Sequence, residues 1–240
     1  MFRSTPHLVA ARFENRAPFM GLVGACAVIG LALAIIAQGV LGSALLPLLA
    51  FALAGTFAGY GLALGYPHQT FGMCNIMTLI RVALVAFLFG GLFATAKLEW
   101  IMFFAAILAF ALDGVDGWIA RRTAMASAFG ARFDMETDAG LAATISLWAL
   151  VHDVAGPEIL ILGFMRYAFV AASFLWPALK QQLPESFRRK IVCVLQIATL
   201  IVVIFPLSPV SSVMPMVVIA VLLLVWSFAL DILWLVRRAQ

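Results

Sequence analysis

Eight apolar stretches follow one another along the chain, with short polar connections between them. About 20 apolar residues is the length that an α-helix needs to cross the hydrocarbon core of a bilayer. The sequence therefore predicts an all-α fold, a polytopic bundle of eight transmembrane helices with no soluble domain. The predicted spans are residues 18–41, 44–65, 75–96, 98–121, 132–152, 158–179, 188–206 and 211–236.

The charged residues are few, and their placement predicts an orientation. They make up 11% of the chain, far below the roughly 25% of an ordinary soluble domain, which excludes that class. The basic residues cluster at the N-terminus, in the connections 121–132 and 180–190 and at the C-terminal tail, whereas the opposite connections offer only Lys97. The positive-inside rule then predicts cytoplasmic termini, and the compact chain indicates a prokaryotic inner membrane. The small net charge of +4 favours an anionic lipid surface over nucleic acid.

Residues 113–138 hold five of the eleven acidic residues. Asp113 and Asp116 are spaced to share one helical face, and Asp134 and Asp138 share a face of a second helix predicted to start near Arg132. Carboxylates about 4 Å apart repel by roughly 4 kcal/mol at an effective dielectric constant of 20, so the cluster predicts a bound cation. Oxygen ligands favour a hard divalent ion, Mg²⁺ or Mn²⁺, that also bridges substrate phosphates.

The spacing of this segment resembles the signature of the CDP-alcohol phosphotransferases. The eight positions that carry the resemblance are Asp113, Asp116, Gly117, Ala120, Arg121, Gly130, Asp134 and Asp138. The resemblance implies transfer of a phosphate-linked group from a CDP-linked donor to an alcohol, with release of CMP. It also implies two divalent ions at the active site and, as in other family members, a homodimer.

The resemblance assigns roles to individual residues. Asp113, Asp116 and Asp134 would bind the metals, and Asp138 would be the general base and also touch the second metal. The residues implied in binding the CDP donor are Gly117, Ala120, Arg121, Ser127 and Gly130, with Gly130 placed in the loop between the two helices. A solvated serine remains an alternative for Ser127.

The third apolar span opens with Asn75, Thr78 and Arg81 at three-residue spacing. This segment resembles the Asn-x-x-Thr-x-x-Arg start of the family's first core helix, which implies donor binding by Asn75 and Thr78. The sequence then divides into residues 1–66, with a juxtamembrane segment and two extra membrane helices, and a six-helix core at residues 67–240.

Basic residues in the last third of the chain are candidates for binding the acceptor alcohol. Arg166 lies deep within a predicted span, where a charge needs a polar partner, and Arg188, Arg189 and Lys190 begin the next span. A structural ion pair for Arg166 and membrane anchoring for the other three remain alternatives. The intramembrane Asp231 is expected to pair with the Arg237–Arg238 tail.

Together these features predict a transferase that moves a phosphatidyl group from CDP-diacylglycerol to a small polyol or polyol phosphate. One alternative is an aminoalcohol phosphotransferase, which takes CDP-choline or CDP-ethanolamine as donor and a lipid as acceptor. The other is an ion-coupled transporter that uses intramembrane carboxylates. Segment 134–140 lacks the DPxADK pattern common in phosphatidylglycerophosphate synthases, which disfavours glycerol 3-phosphate as the acceptor.

Overall fold

The computed structural model describes residues 16–94, 98–181, 183–184 and 186–239, and this part of the chain is helical with no β-strand. The predicted juxtamembrane segment at the N-terminus and Lys97 lie outside the described residues. Eight α-helices, named here in chain order, account for nearly all of it, with a 3-10 helix at Pro177–Lys180 after α6. The α-helices are α1 Arg16–Leu41, α2 Leu45–Ala63, α3 Met73–Gly91, α4 Glu99–Arg122, α5 Ala128–Val151, α6 Ile159–Leu175, α7 Phe187–Val203 and α8 Val210–Ala239.

The prediction of an all-α membrane protein is confirmed, and the described residues form eight α-helices. Among the described residues, five helices are long and apolar enough to cross a membrane, namely α1 to α4 and, within α8, Val213–Arg238. Helix α6 is apolar but shorter. Many of their large apolar side chains are exposed, as expected for surfaces that face lipid. The chain is an integral membrane protein.

Glycine and serine explain where several helices end or begin. Gly42 directly follows α1 and Gly65 closely follows α2, and both have positive φ angles, +75° and +129°, which glycine adopts without steric cost. The fifth helix begins at Ala128, earlier than the predicted start near Arg132. The Ser127 hydroxyl accepts a 3.0 Å hydrogen bond from the Gly130 N–H and so caps this helix.

The chain divides into two compact units. The first contains α1, α2, α3 and the segment Leu108–Thr137, which is the end of α4 and the start of α5. Its helices pack closely because small residues lie at the contacts. A Cβ on Gly90 of α3 would lie 2.4 Å from Cγ of Pro47 in α2, and one on Gly61 of α2 would lie 3.0 Å from the Phe129 ring at the start of α5. This unit contains the acidic segment up to Thr137.

The second unit contains the start of α4 through Ile107 and the chain from Asp138 onwards. Gly163 of α6 lies against Ser146 of α5, so closely that a Cβ at Gly163 would sit 1.9 Å from the Ser146 Oγ. Helices α7 and α8 also pack on each other, through an ion-pair cluster described below. Gln196 of α7 donates a hydrogen bond to the carbonyl of Leu162 and connects α7 to α6.

Candidate active site

Asp113, Asp116 and Asp134 come together in the first unit. Asp113 and Asp116 lie near the C-terminal end of α4, and Asp134 lies in the second turn of α5. One carboxylate oxygen from each lies within 4.8 Å of the others. The side chain of Asp116 is 5% exposed, whereas those of Asp113 and Asp134 are 32% and 37% exposed. The cluster is therefore buried on one side and open on the other, as a site that receives a ligand must be.

A buried arginine lies among these carboxylates. The Nη1 atom of Arg81, from α3, lies 3.1 Å from Asp113 Oδ1 and 2.9 Å from Asp116 Oδ2, and it also contacts Asp134 Oδ1. Its Nε donates a 3.1 Å hydrogen bond to the Ala109 carbonyl. Arg81 is 0% exposed. The guanidinium therefore joins α3, α4 and α5 at the point where the acidic residues converge.

Thr78 lies one turn before Arg81 on α3 and completes this side of the site. Its hydroxyl donates a 3.1 Å hydrogen bond to Asp116 Oδ2, the oxygen that also contacts Arg81. The same hydroxyl lies 3.1 Å from the Cys74 carbonyl, as is common for threonine in helices. Asp116 thus has two fixed partners, and its orientation is set by α3.

The three carboxylates fit a divalent cation. Their oxygens are hard ligands of the kind that Mg²⁺ and Mn²⁺ prefer. Three carboxylates and one guanidinium leave a formal charge of −2, which one divalent ion would balance. Asp113, Asp116 and Asp134 could therefore bind a metal, as their sequence spacing predicted.

Asp138 follows Asp134 by four residues in the same helix, so both lie on one face of α5. Asp134 belongs to the first unit, and Asp138 is the first residue of α5 that belongs to the second unit. The side chain of Asp138 is half-buried. Its role as general base stays a prediction.

Asn75 is held by a tyrosine that the sequence reasoning did not single out. The Asn75 Nδ2 donates a 2.8 Å hydrogen bond to the hydroxyl of Tyr66, which in turn lies 3.2 Å from the Thr70 carbonyl as its donor. Tyr66 is 6% exposed, and burial raises the pKa of its phenol above the ordinary value of 10.0. The phenol therefore stays protonated at neutral pH and fixes the amide of Asn75. The sequence signal for this contact is a tyrosine nine residues before the asparagine of the Asn-x-x-Thr-x-x-Arg segment.

Gly130 lies in the first turn of α5, so its predicted place in the loop between the helices is wrong. The N-terminal cap at Ser127 extends the helix back over this position. A Cβ on Gly130 would lie 3.2 Å from Asn75 Oδ1 and 3.3 Å from Ser127 Oγ. Glycine thus allows the start of α5 to approach α3 closely. The role of Ser127 in donor binding stays a prediction, and its cap is a structural function that the sequence reasoning missed.

Gly117, Ala120 and Arg121 all lie in the last turns of α4, downstream of Asp113 and Asp116. The Arg121 guanidinium folds back over Gly117, where a Cβ would lie 3.3 Å from its Nη1. Arg121 is exposed and Ala120 half-buried. An exposed guanidinium beside a residue without a side chain is an arrangement suited to a phosphate ligand. Donor binding by these three residues stays a prediction.

The expectation that Asp231 pairs with the C-terminal arginines is wrong. Asp231 Oδ1 lies 2.5 Å from Arg188 Nη2 and 3.4 Å from Arg189 Nη1, both at the start of α7. Arg188 Nη1 also donates to the carbonyl and hydroxyl of Ser227, at 2.6 and 2.5 Å. The pairing partner is set by helix packing and not by closeness in sequence.

These contacts bear on the candidate acceptor residues. The guanidinium of Arg188 is held by α8, and Arg189 also donates to the Pro184 carbonyl. Lys190 is exposed in the first turn of α7, and Arg166 is half-buried in the middle of α6, as its predicted depth requires. Binding of the acceptor by any of the four stays a prediction.

Comparison with known proteins agrees with the site. The family model for CDP-alcohol phosphatidyltransferases matches residues 71–232, which includes the three clustered aspartates. A curated relative, CDP-diacylglycerol--inositol 3-phosphatidyltransferase 1 of Arabidopsis thaliana, is 33% identical over 91 residues. That match spans 38% of this chain and 38% of the relative's length. No solved structure matches the chain. Since the family model covers well over half of the sequence, the chain belongs to the CDP-alcohol phosphatidyltransferase family.

Proposed function

We propose that this protein transfers a phosphatidyl group from CDP-diacylglycerol to a small polyol or polyol phosphate and releases CMP. The observation that carries this proposal is the convergence of Asp113, Asp116 and Asp134 at one site within the region that the family model matches. The relative's name supports the choice of substrates, because that enzyme joins a phosphatidyl group from CDP-diacylglycerol to inositol. An inositol-like polyol is therefore the first acceptor to test.

A divalent ion, Mg²⁺ or Mn²⁺, held by Asp113, Asp116 and Asp134 would neutralise the diphosphate of the donor. Two ions remain the expected number. The residues that would fix the donor are Asn75 and Thr78 on α3 and the small-residue segment around Gly117. Arg121, exposed at the end of α4, would contact a phosphate oxygen of the donor.

In the proposed reaction, Asp138 accepts the proton of the acceptor hydroxyl. The hydroxyl oxygen forms a bond to the phosphatidyl phosphorus while the bond between that phosphorus and the bridging diphosphate oxygen breaks. CMP leaves with the electron pair of the broken bond. Removal of the proton by a positioned base is typically worth about 10²–10⁴ in rate. We place the active site on the cytoplasmic side, where the positive-inside rule puts the basic connections.

The division of the chain at about residue 66 stays a proposal. The family model begins at residue 71 and leaves α1 and α2 outside the matched region. Both helices nevertheless pack on α3, which carries Asn75, Thr78 and Arg81. We propose that they support the donor-binding helix. A homodimer is likewise proposed only from the family resemblance.

The test is CMP release by the purified protein in lipid–detergent micelles with Mg²⁺ or Mn²⁺. CDP-diacylglycerol is combined in turn with inositol, an inositol phosphate and glycerol 3-phosphate, and CDP-choline or CDP-ethanolamine is combined with diacylglycerol. We expect CMP only with CDP-diacylglycerol and an inositol-type acceptor, and none after chelation with EDTA. The Asp113→Asn variant is the matched control and should lose most of the activity. Release of CMP from CDP-choline but not from CDP-diacylglycerol would overturn the proposal in favour of an aminoalcohol phosphotransferase.

A further inference from the structure

One nitrogen atom of Arg81 contacts all three clustered aspartates. Nη1 touches one carboxylate oxygen each of Asp113, Asp116 and Asp134, so it lies in the position between these oxygens that a bound cation would occupy. The Nε of the same guanidinium is bound to the Ala109 carbonyl of α4. This backbone contact is a second attachment of Arg81 to α4, in addition to the carboxylates.

Because Arg81 is buried, its contacts with the carboxylates matter for the stability of the fold. A guanidinium keeps its proton throughout the ordinary pH range, so Arg81 brings a permanent positive charge into a place with no solvent exposure. A buried charge without a partner is strongly destabilising, and so is a group of adjacent carboxylates without a cation. The two sets of charges therefore depend on each other when no other cation is bound.

We propose that Arg81 is a resident counter-cation of the three aspartates. It is a positioning residue that keeps Asp113, Asp116 and Asp134 close together before a metal ion arrives, and it competes with that ion for the same oxygens. This inference rests on the metal binding suggested under the proposed function. It differs from the family resemblance, which links the Asn-x-x-Thr-x-x-Arg segment to the donor, because Arg81 acts here on the aspartates.

Competition between Arg81 and a divalent ion predicts in which direction the metal affinity changes when Arg81 is replaced. Removing the positive charge of Arg81 leaves three carboxylates with a formal charge of −3 instead of −2. The variant without metal should then be less stable than the wild type, while its attraction for a divalent ion should increase. At charge separations of a few ångströms one unit charge changes such an affinity by about tenfold or more.

The experiment compares the wild type with Arg81→Gln, which retains a polar side chain and loses the charge. Both proteins are purified without substrate, and their melting temperatures are measured with EDTA and over a series of Mn²⁺ concentrations, with bound Mn²⁺ counted by electron paramagnetic resonance. We expect Arg81→Gln to melt at a lower temperature in EDTA, to gain more from Mn²⁺ than the wild type, and to bind Mn²⁺ about tenfold more tightly.

Two further variants separate this role from general packing. Arg81→Lys keeps the charge and should recover most of the stability in EDTA, with a Mn²⁺ shift close to that of the wild type. Arg188→Gln removes an arginine from a different, partly buried ion pair, with Asp231, so it should lower the melting temperature without changing the Mn²⁺ shift.

A Mn²⁺ shift in Arg81→Gln that is equal to or smaller than that of the wild type would overturn the proposal. A variant that folds only when Mn²⁺ is present would support it, whereas one that fails to fold even with Mn²⁺ would contradict it, because the ion should replace the missing charge. All of these measurements are made without substrate. If the proposed transferase activity is wrong, only the CMP assay would show it. The melting temperatures and the Mn²⁺ affinities could still be interpreted.

Discussion

Replacing Arg188 with alanine should destabilise the protein through Asp231. The carboxylate of Asp231 is 10% exposed in its side chain, and Arg188 lies 2.5 Å from it. Removing one partner of a buried ion pair typically costs about 3–5 kcal/mol, because the other charge stays buried without compensation. Arg189 remains 3.4 Å from the same oxygen and offsets part of this loss. We therefore expect the lower end of the range, about 3 kcal/mol.

The measurement is thermal unfolding in detergent micelles, followed by circular dichroism. For a chain of this size, 1 kcal/mol shifts the melting temperature by about 2–4 °C, so Arg188→Ala should melt about 6–12 °C below the wild type. The double variant Arg188→Met/Asp231→Leu should recover most of this loss, because it removes both charges and retains apolar volume. Arg237→Ala, at the arginine first expected to pair with Asp231, is the matched control and should change the free energy of unfolding by less than about 0.5 kcal/mol.

The same variant decides between the two roles considered for Arg188. A structural role predicts a lower melting temperature, with the Michaelis constant for the acceptor unchanged at a temperature where the variant is folded. The reasoning is refuted if Arg188→Ala melts with the wild type and the Michaelis constant for the acceptor rises instead.

Three other substitutions test the site. Asp138→Asn should abolish CMP release and leave donor binding measurable by calorimetry, since other residues are proposed to bind the donor. Loss of donor binding with turnover of bound donor intact would contradict the base assignment. Tyr66→Phe removes the hydroxyl that holds Asn75 and should raise the Michaelis constant for the donor severalfold without changing Mn²⁺ affinity. An unchanged Michaelis constant would indicate that Asn75 does not bind the donor. Arg166→Ala should raise the Michaelis constant for a phosphorylated acceptor and leave that for the donor unchanged. Equal weakening of donor and acceptor binding, with a lower melting temperature, would indicate a structural ion pair instead.

The helices and the acidic cluster could be predicted from the sequence because both depend on local periodicity. Runs of apolar residues determine the membrane helices, and the three-residue spacing of Asp113 and Asp116 puts both carboxylates on one face of α4. The sequence predicts the start of α5 near Arg132, which is four residues later than the start at Ala128 in the structure. The hydrogen bond from the Gly130 N–H to the Ser127 hydroxyl decides this boundary, and a serine three residues before a glycine is a weak signal for it.

The partners of the buried charges could not be predicted in the same way. The three-residue spacing predicts that Arg81 shares a face of α3 with Asn75 and Thr78, but its contacts with the three aspartates depend on how three helices pack. Closeness in sequence predicts a pair between Asp231 and the C-terminal arginines, but six residues of α-helix rise about 9 Å, which makes Arg237 a poor partner. A residue 43 positions earlier, Arg188, fills that role because α7 and α8 lie side by side.

The contacts of Arg81 have a consequence for how the protein is made. Arg81 lies in one membrane-spanning helix, α3, and Asp113 and Asp116 lie in the next, α4. Charged side chains are costly in a bilayer when a helix is inserted by itself. Since the opposite charges face each other across this pair, we expect α3 and α4 to leave the translocon together as a helical hairpin. The ion pairs between Arg81 and the two aspartates would then also guide insertion of the chain during synthesis.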